Sequence, residues 1–376
     1  MTDKKFKLDD LMLRAANKLM GTPDEQTIRR YLGQYEACYL GYASNEKVRS
    51  RAASGGLVSA ILIHLLENEI VQGALISHIV VRNSQIMAEP FIARTKQDIL
   101  NSQSSIYMKV PIMSQFRHLS EIEGDLAVVA LPCELKVLRQ YETRNPKLAE
   151  KIKLRIALVC ARNSTKQLLS KVLIKKEICE NDVTDMRFRQ GHWRGHMQIQ
   201  INDGQEISFP FQDFSIYRNL HFECEMKCLY CEDPLGEYAD ITCGDAWIPE
   251  LKKHVIKHSI AVARNTQTVN IIDRMIQEDH LAMEKISPTL FFEAQRRTII
   301  PMKRGKPAKT KLSSLFGYKM KYKGSFRSQW NDYIVAVMIL LNYRITQSKS
   351  LNRFIFLTPK PILRIFLLAM SFFKNF

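Results

Sequence analysis

The segment DLAVVALPCELKVLRQYETRNPKLAEKIKLRIALVCA, residues 125–161, decides the fold class. Its two ends, Asp125–Pro132 and Lys153–Ala161, are compact apolar runs that finish in small or helix-breaking residues, as buried strands do. Between them, ELKVLRQYE has the periodicity of a helix. Strand, turn, helix and strand in this order predict an α/β sheet whose ligands gather at the carboxyl ends of the strands.

Neighbouring segments extend this pattern. We predict a helix from Leu57 to Glu69 and a β-branched strand from Ala74 to Val81. The alternating run HMQIQINDGQEISFPF, residues 196–211, predicts a β-hairpin that turns at Asn202-Asp203-Gly204. The predicted fold class is therefore α/β (α+β), a mixed sheet flanked by helices.

Composition favours a folded protein of a reducing compartment. The 376 residues are 46% hydrophobic and 25% charged, which is enough to bury a sizeable core. Residues 1–20 mix charged and apolar side chains without a continuous apolar run, so they do not resemble a secretory signal, and a cytoplasmic location is expected. In that compartment eight cysteines favour metal binding or redox chemistry over a disulfide framework.

The positive charge is concentrated at the C-terminal end. Residues 301–376 hold 15 Lys and Arg and one acid, Asp332, a net charge of +14 out of +17 for the chain. These cations alternate with the apolar runs DYIVAVMILLNY and FIFLTPKPILRIFLLAMSFF, which favours an anionic membrane surface over nucleic acid as the partner. No run is long enough to span a bilayer, so we expect an amphipathic helical tail that lies on the membrane. The alternative is that these helices pack on the body or on a partner.

Three cysteines, Cys224, Cys228 and Cys231, have the spacing C-x3-C-x2-C. Structural zinc sites usually take two short-range pairs of ligands, whereas a [4Fe-4S] cubane accepts three thiolates from one irregular loop and a fourth from elsewhere in the chain. We favour Cys133 as the fourth ligand, with Cys243 as the alternative. The same spacing also occurs in radical S-adenosylmethionine enzymes, which stay a second hypothesis.

Two further segments are candidates for ligand binding. Ser54, Gly55 and Gly56 open a helix with small residues, so backbone N–H groups can hold a phosphate or a flat polar ring; a simple helix cap would have the same sequence. Cys133 follows Pro132 directly after a predicted strand, a place where nucleophiles and ligands project, although a lone buried cysteine is commoner.

These segments together resemble one family. YLGQYEACYLGYASNEKVRSRAASGG, VVALPCELKVLRQ, IALVCARN, RFRQGHWRG, CLYCEDPLGEYADITCGDAW and SIAVARN are similar, in content and order over residues 30–270, to the beta subunit of coenzyme F-420 hydrogenase/dehydrogenase. The resemblance implies a flavoprotein with a [4Fe-4S] cluster.

Individual residues carry the resemblance. The flavin would be held by Ser54, Gly55, Gly56, Pro132, Asn163 and Asp245, and the cluster by Cys133, Cys224, Cys228 and Cys231. Ala239, Asp240 and Gly244 also match the family's A-D-I-x-x-G-D segment. The chain departs from the family at Ala130-Leu131, where many members have Gly-Thr, and it lacks the ferredoxin-like cysteine block of many bacterial relatives.

The implied function is electron transfer through a flavin, FAD or FMN. A flavin accepts a hydride and releases single electrons to a cluster, and Lys227 would favour the reduced cluster. Coenzyme F-420, another deazaflavin or flavin, or a partner protein would supply or accept the electrons. His192 and Arg194 are the candidate catalytic residues. A non-catalytic electron-transfer subunit is the alternative, and relatives in surface-polysaccharide loci suggest that pathway by analogy.

Four regions follow from these patterns. We predict an N-terminal helical extension (1–29), a flavin-loop domain (30–115), a C-terminal domain with the Pro-Cys turn and the iron–sulfur cluster (116–300), and the basic amphipathic tail (301–376).

Overall fold

The computed structural model describes residues 23–375, without the side chains of Lys349 and Asn375. Residues 1–22, most of the predicted N-terminal extension, lie outside this range. In chain order the strands are β1 (Ala37–Ala43), β2 (Gly73–Arg82), β3 (Gln85–Ala93), β4 (Leu126–Ala130), β5 (Ile152–Leu158), β6 (Val183–Gln190), β7 (His196–Ile201), β8 (Glu206–Pro210), β9 (Ile241–Asp245), β10 (Ser259–Ala263) and β11 (Leu281–Ile286).

The helices surround these strands and make up most of the C-terminal quarter. They are α1 (Glu25–Leu32), α2 (Glu46–Ser50), α3 (Leu57–Glu67), α4 (Lys96–Asn101), α5 (Pro132–Arg144), α6 (Pro146–Lys151), α7 (Lys166–Lys175), α8 (Gln212–Asn219), α9 (Met226–Tyr230), α10 (Thr266–Gln277), α11 (Pro288–Lys303), α12 (Lys306–Leu312), α13 (Trp330–Thr346), α14 (Lys349–Leu357) and α15 (Lys360–Asn375). Short 3-10 turns lie at Ile112–Ser114, Glu180–Asp182, Pro249–Lys253 and Ser313–Phe316.

Eight strands form one mixed sheet in the order β11-β1-β10-β9-β5-β4-β2-β3. The four central neighbours β9, β5, β4 and β2 are parallel, and antiparallel strands complete both sides. The predicted strand, helix and strand of residues 125–161 are β4, α5 and β5, which lie side by side at the centre. The mixed α/β prediction is confirmed. Strands from both predicted domains, 30–115 and 116–300, share this sheet.

Helices cover both faces of the sheet. Apolar side chains of α3 and α10, such as Ile61 and Ile272, pack on one face, where Tyr39 of β1 also points. On the other face α1 and α11 pack against Leu40 and Ile260, and α5 packs against Val128. Successive strand residues thus point to opposite faces and both faces are buried, as a sheet with helical crossovers requires.

A second, antiparallel sheet contains β6, β7 and β8. The predicted hairpin is confirmed, because β7 pairs with β8 across the turn that ends at Gly204, whose φ is +79°. Its buried side chains share a core with the tail, since Val335, Ile339 and Tyr343 of α13 belong to the same apolar cluster. For α13 the alternative is therefore confirmed, because this helix of the tail packs on the body of the protein.

The end of the tail is less enclosed. Leu363 and Met370 of α15 are buried, whereas Phe354 and Leu357 of α14 and Ile365 of α15 are about 70% exposed. In the described part of the chain no single helix is long and apolar enough to cross a membrane, but residues 350–357 and 360–374, bent by 101°, pass that test as a pair.

Candidate functional site

Three parallel strands deliver the candidate residues to one edge of the large sheet. Pro132 and Cys133 follow β4 and form the first turn of α5, and Asp245 is the last residue of β9. The segment after β5, residues 159–165, is here named the β5 exit loop, and it carries Cys160, Arg162 and Asn163. Since β4, β5 and β9 are adjacent and parallel, their carboxyl ends meet.

Backbone hydrogen bonds hold the cysteine loop, residues 223–235, against the β5 exit loop. The N–H of Thr165 donates to the carbonyl of Glu223 at 2.7 Å, and the N–H of Cys160 donates to the carbonyl of Pro234 at 3.0 Å. Between these contacts, Glu225 N–H donates to the Asn163 carbonyl at 3.0 Å. Because the two loops are joined along their length, the cysteines of one lie beside Cys160 of the other.

The pKa values of four neighbouring thiols depend on one another, and each of the six pairs among them interacts. Burial and then neighbouring thiols raise the pKa of Cys160 well above its usual range, and the neighbours are Cys228, Cys231 and Cys133. Burial raises the pKa of Cys133 to about 12, with Cys231 and Cys228 adding to the shift and Lys227 opposing it. Burial also raises the pKa of Cys231, and Cys228 adds to it.

Cys224 has a different environment. Its thiol hydrogen-bonds to Cys228, which raises its own pKa and lowers that of Cys228 to about 7. Cys228 and burial are the main causes that raise the pKa of Cys224, whereas Arg162 and Arg218 lower it. The structure therefore brings the four predicted ligands into one region. Cys133 and Cys160 each affect or are affected by both Cys228 and Cys231, whereas the main cysteine neighbour of Cys224 is Cys228.

Sequence reasoning overlooked Cys160. Its signal was its position directly after a strand, the same position that drew attention to Cys133. Cys243 lies inside β9, where burial alone raises its pKa. Cys38 is likewise buried within β1, and Cys179 is exposed.

Buried cations surround these thiols without carboxylate partners. Lys306 and Lys309 of α12 are 1% and 5% exposed, and Arg162 lies in the β5 exit loop. None of the three forms an ion pair with a carboxylate within 4.0 Å in residues 23–375. Burial, with Lys306 adding to it, lowers the pKa of Lys309 to about 8, and the thiols Cys231 and Cys224 oppose the shift. The region is thus electropositive and suited to a negatively charged group.

A cavity of about 300 Å³ opens at the same edge and is here named the strand-end cavity. It is lined by Ser54, Gly56, Asn163 and Asp245 of the predicted flavin residues. Cys160 and Cys243 also line it, as do Leu131 and Glu134 at the start of α5, whereas Pro132 itself does not. The cavity and the cysteines therefore share the wall formed by the β5 exit loop.

Ser54, Gly55 and Gly56 join α3 to the sheet. The hydroxyl of Ser54 donates to the His258 carbonyl at 2.8 Å, and Gly55 N–H donates to the Ser259 hydroxyl at 3.0 Å. A Cβ at Gly55 would lie 2.8 Å from Ser259 N and 2.9 Å from Gly41 O. Gly55 is thus required by close packing against β1 and β10, while Ser54 and Gly56 face the cavity.

Asp245 and the two candidate catalytic residues lie around Arg189. Arg189 donates a hydrogen bond to Asp245 at 2.6 Å. Burial alone would lower the pKa of the guanidinium, but the Asp245 carboxylate outweighs burial and raises it. Arg194 lines a second cavity, which Arg189 also lines. His192 is exposed, its Nε2 lies 2.5 Å from the carbonyl oxygen of His254, and it lines neither cavity.

A mixed sheet with a cavity and a group of cysteines at the carboxyl ends of its parallel strands defines an α/β protein that binds its ligands at that edge. Models of the coenzyme F420 hydrogenase/dehydrogenase beta subunit match the chain over residues 38–117 for the N-terminal part and 124–289 for the C-terminal part. The chain belongs to this family, as the sequence resemblance predicted.

Individual relatives are distant. The chain is 20% identical over 225 residues to coenzyme F420 hydrogenase subunit beta of Methanosarcina barkeri, a match that spans 58% of this chain and 74% of the relative. It is 24% identical over 212 residues to one subunit of the F(420)H(2) dehydrogenase of Methanosarcina mazei, spanning 56% of each chain. It is 26% identical to the coenzyme F420-dependent sulfite reductase of Methanocaldococcus jannaschii, over 52% of this chain and 31% of that protein.

The fold has a counterpart among solved structures. A chain of the F420-reducing [NiFe] hydrogenase complex from Methanosarcina barkeri superposes with a TM-score of 0.59 and 17% identity, covering 77% of this chain and 97% of that chain. The named relatives are redox enzymes or subunits of them.

Proposed function

We propose that this chain is an iron–sulfur flavoprotein oxidoreductase that couples two-electron chemistry at a flavin to one-electron transfer through a [4Fe-4S] cluster. The observation that carries the proposal is the position of four interacting thiols, among unpaired buried cations, against the wall of the strand-end cavity. A flavin, when bound, supplies the exchange between hydride and single-electron transfer.

The thiols fit a cubane better than a zinc ion. No three of these sulfurs come within 4.8 Å of one another in the residues described, whereas four sulfurs on one zinc ion would be about 3.8 Å apart. Thiolates on separate corner irons are spaced more widely. We assign Cys133, Cys160, Cys228 and Cys231 as the ligands, and Cys224 as a neighbour that hydrogen-bonds to Cys228. The alternative set has Cys224 in place of Cys160.

The unpaired cations support an anionic group at this position. Buried charges without a carboxylate nearby are costly, so Lys309 and Arg162 imply a negative counter-charge. Lys306 is buried beside them, with Glu232 opposing the effect of burial on its pKa. Four thiolates bound to iron carry such a charge, and the buried thiols must lose their protons when they bind it. A fourth and a fifth cysteine near Cys228 and Cys231 also favour four protein ligands over the three that the radical S-adenosylmethionine hypothesis requires.

The strand-end cavity suits the flavin, FAD or FMN. Ser54 and Gly56 present the start of α3 to it, Asn163 connects it to the cysteines, and Asp245 is fixed by Arg189. Asn163 is itself held in place, since its side-chain amide donates to the Met108 carbonyl at 3.1 Å. Glu134 also lines this cavity, and burial raises the pKa of its carboxyl, so it can hold a proton there. Arg194 stays a candidate for substrate contact, whereas His192 would need to leave the His254 carbonyl.

Partners follow from the family. Electrons would come from or go to coenzyme F-420, another deazaflavin, or a protein, since relatives are named as subunits of redox complexes. A pure electron-transfer subunit is the second candidate. The exposed apolar side chains of α14 and α15, together with Arg353, suit peripheral binding at the inner membrane face, which would also suit a surface-polysaccharide pathway.

Anaerobic purification with metal and flavin analysis tests the proposal. We expect brown protein with about four irons per chain, acid-labile sulfide and one bound flavin. Cys179→Ser, which changes an exposed cysteine, should keep both groups. Stoichiometric zinc without iron, or iron without flavin after reconstitution, would contradict it.

A further inference from the structure

A second cavity, of about 370 Å³, lies between the β5 exit loop, the turn that joins β6 to β7, and α15; we name it the tail cavity. Nine lysines and arginines line it, against two acids, Asp213 and Glu293. Both acids are already engaged, because Asp213 pairs with Lys360 at 2.8 Å and Glu293 pairs with Arg296 at 3.1 Å. Four of the nine cations, Arg162, Arg218, Arg364 and Lys374, form no ion pair with a carboxylate of residues 23–375, so the tail cavity has an excess of positive charge.

Several of these cations lack a counter-charge. The Nε atoms of Arg162 and Arg218 are buried without a hydrogen-bond partner. Arg364 and Lys374, both on α15, form no ion pair with any carboxylate of residues 23–375. Burial, with Arg162 and Lys309 adding to it, lowers the pKa of Lys374 well below its usual range. Like charges held together in this way are expected where a polyanion binds between them.

The proposed iron–sulfur cluster does not by itself account for the positive charge of the tail cavity. Lys306 and Lys309 face the cysteines and do not line the tail cavity, whereas Arg364 and Lys374 line the cavity from α15. Arg189 also lines the tail cavity, but its charge is already neutralised by Asp245. The positive charge thus extends from the cysteines to a separate wall that the tail supplies.

The tail cavity adjoins the strand-end cavity. Tyr107, Arg162 and Arg218 line both, and the Arg218 guanidinium lies 4.8 Å from the centre of the Tyr107 ring. Trp193 and Trp247 meet edge to face in the tail cavity, with 5.5 Å between their ring centres. A molecule bound here would contact aromatic surfaces and would reach the proposed flavin across one shared wall.

We propose that the tail cavity is the substrate site and that it takes a phosphate- or diphosphate-bearing molecule, with Arg364 and Lys374 of the tail among its ligands. This inference rests on the proposed flavin chemistry for its role in turnover. Planar guanidinium groups match phosphate oxygens in two-point hydrogen bonds, and such a density of them favours phosphate over a single carboxylate. The phosphate could belong to a free molecule or to a lipid headgroup, since Ile362 and Ile365 on the outer side of α15 are exposed and apolar.

Binding can be measured without turnover, through tryptophan fluorescence of the purified holoprotein. Trp193 and Trp247 line the tail cavity, and the remaining tryptophan, Trp330, is removed as a background by Trp330→Phe. Inorganic pyrophosphate represents the free source. Phosphatidylcholine vesicles containing phosphatidic acid represent the lipid source, with pure phosphatidylcholine vesicles as the blank.

The test variants are Arg364→Gln and Lys374→Gln, each matched by Arg353→Gln, which removes the same charge from an exposed position on α14. We expect saturable quenching by pyrophosphate, weakened about tenfold by either cavity variant and unchanged by Arg353→Gln. Binding of the phosphatidic acid vesicles that is tighter than that of pyrophosphate and is weakened by Arg364→Gln or Lys374→Gln assigns the substrate to lipid. Pyrophosphate binding that is weakened by these variants while vesicle binding is not assigns the substrate to a free phosphate ester. Iron and flavin content should be unchanged.

Three results would overturn the inference. The first is that neither phosphate probe gives saturable quenching, and the second is that Arg353→Gln weakens pyrophosphate binding as much as the two cavity variants do. The third is that citrate binds as tightly as pyrophosphate, which would exclude a phosphate site. These outcomes are independent of the metal and flavin analysis, so failure here and failure of the redox proposal are distinguishable.

Discussion

The main-chain N–H of Asn163 donates a hydrogen bond to the sulfur of Cys228, with 3.2 Å between the two atoms. This bond joins the exit of a central strand to the cysteine loop. After the hydrogen bond from Cys224, it is a further reason that the pKa of Cys228 is lowered to about 7. An N–H group aimed at a sulfur stabilises the thiolate form, which is the form that binds iron.

The ligand assignment predicts different results for two cysteines. Cys160→Ser should abolish incorporation of iron, whereas Cys224→Ser should retain most of it, because Cys228, Cys231 and Cys133 all shift the pKa of Cys160. The pKa of Cys224 is shifted chiefly by its hydrogen bond to Cys228. Iron and sulfide analysis after anaerobic reconstitution measures the difference, with Cys179→Ser as the control. The reverse result would restore Cys224 as the fourth ligand.

Lys309→Met should have opposite effects on two properties. Without the cluster, removal of a buried unpaired charge should stabilise the protein by about 1 kcal/mol or more. With the cluster, the same change should lower its reduction potential by roughly 60 mV, a tenfold change for one electron. Chemical unfolding and spectroelectrochemical titration measure these quantities, and Lys311→Met, an exposed change on the same helix, should alter neither. A potential that does not move would place the cluster elsewhere.

Gly55→Ala should destabilise the protein by about 1–3 kcal/mol through overpacking and should release flavin. The new methyl group meets backbone atoms of β1 and β10, so Ser54 and Gly56 must shift. The comparison is Gly191→Ala, at a φ of +84° with no atom within 4 Å, where only backbone strain of about 1–2 kcal/mol applies. Urea unfolding and flavin retention on gel filtration should separate the two variants. Equal flavin retention would disconnect this loop from the flavin.

Acid should destabilise the protein through His64. Burial lowers the pKa of His64 in the folded state, and the Nδ1 of His280 lies 3.3 Å from its own Nδ1. Below the usual histidine pKa of about 6.5 the unfolded chain therefore takes up this proton first, so stability falls as the pH drops towards the folded pKa and is unaffected above about 6.5. His64→Gln should reduce the slope of this dependence in urea unfolding across that range, with His78, His221 and His258 contributing the remainder. His118→Gln, at an exposed position, is the control.

Membrane association should depend on the exposed side of α14. The double change Phe354→Asp and Leu357→Asp should reduce sedimentation with anionic vesicles, because both side chains are about 70% exposed and can enter the interface. Val255→Asp, at an apolar position on the body that is even more exposed, is the control. Sedimentation that survives the double change would leave the tail without a membrane role.

The central part of the fold could be predicted because its signals are local. The runs of β4 and β5, the periodicity of α5 and the turn before Gly204 each depend on neighbours in sequence, and each element was found where expected. The Pro-Cys turn after β4 was likewise found at the start of α5, and the ligand role of Cys133 stays a prediction.

The rest depends on contacts between distant segments. Cys160 meets Cys228 because β5 lies beside β4 in the sheet and its exit loop pairs with the cysteine loop. Lys309 reaches the same thiols from a helix almost at the start of the tail, and no local pattern distinguishes it from the exposed Lys311 two residues later. The positive charge of the tail was evident from composition. Composition could not show that some of its cations line the tail cavity while others lie on the outer surface.

The wall that α15 gives to the tail cavity lies beyond residue 289, where the family match ends. The sheet and its loops can therefore stay the same while the tail changes, and a new tail would offer a new set of charges to the incoming molecule. In evolutionary terms we expect diversification among such proteins to occur by replacement of the C-terminal helices rather than by substitutions around the cysteines.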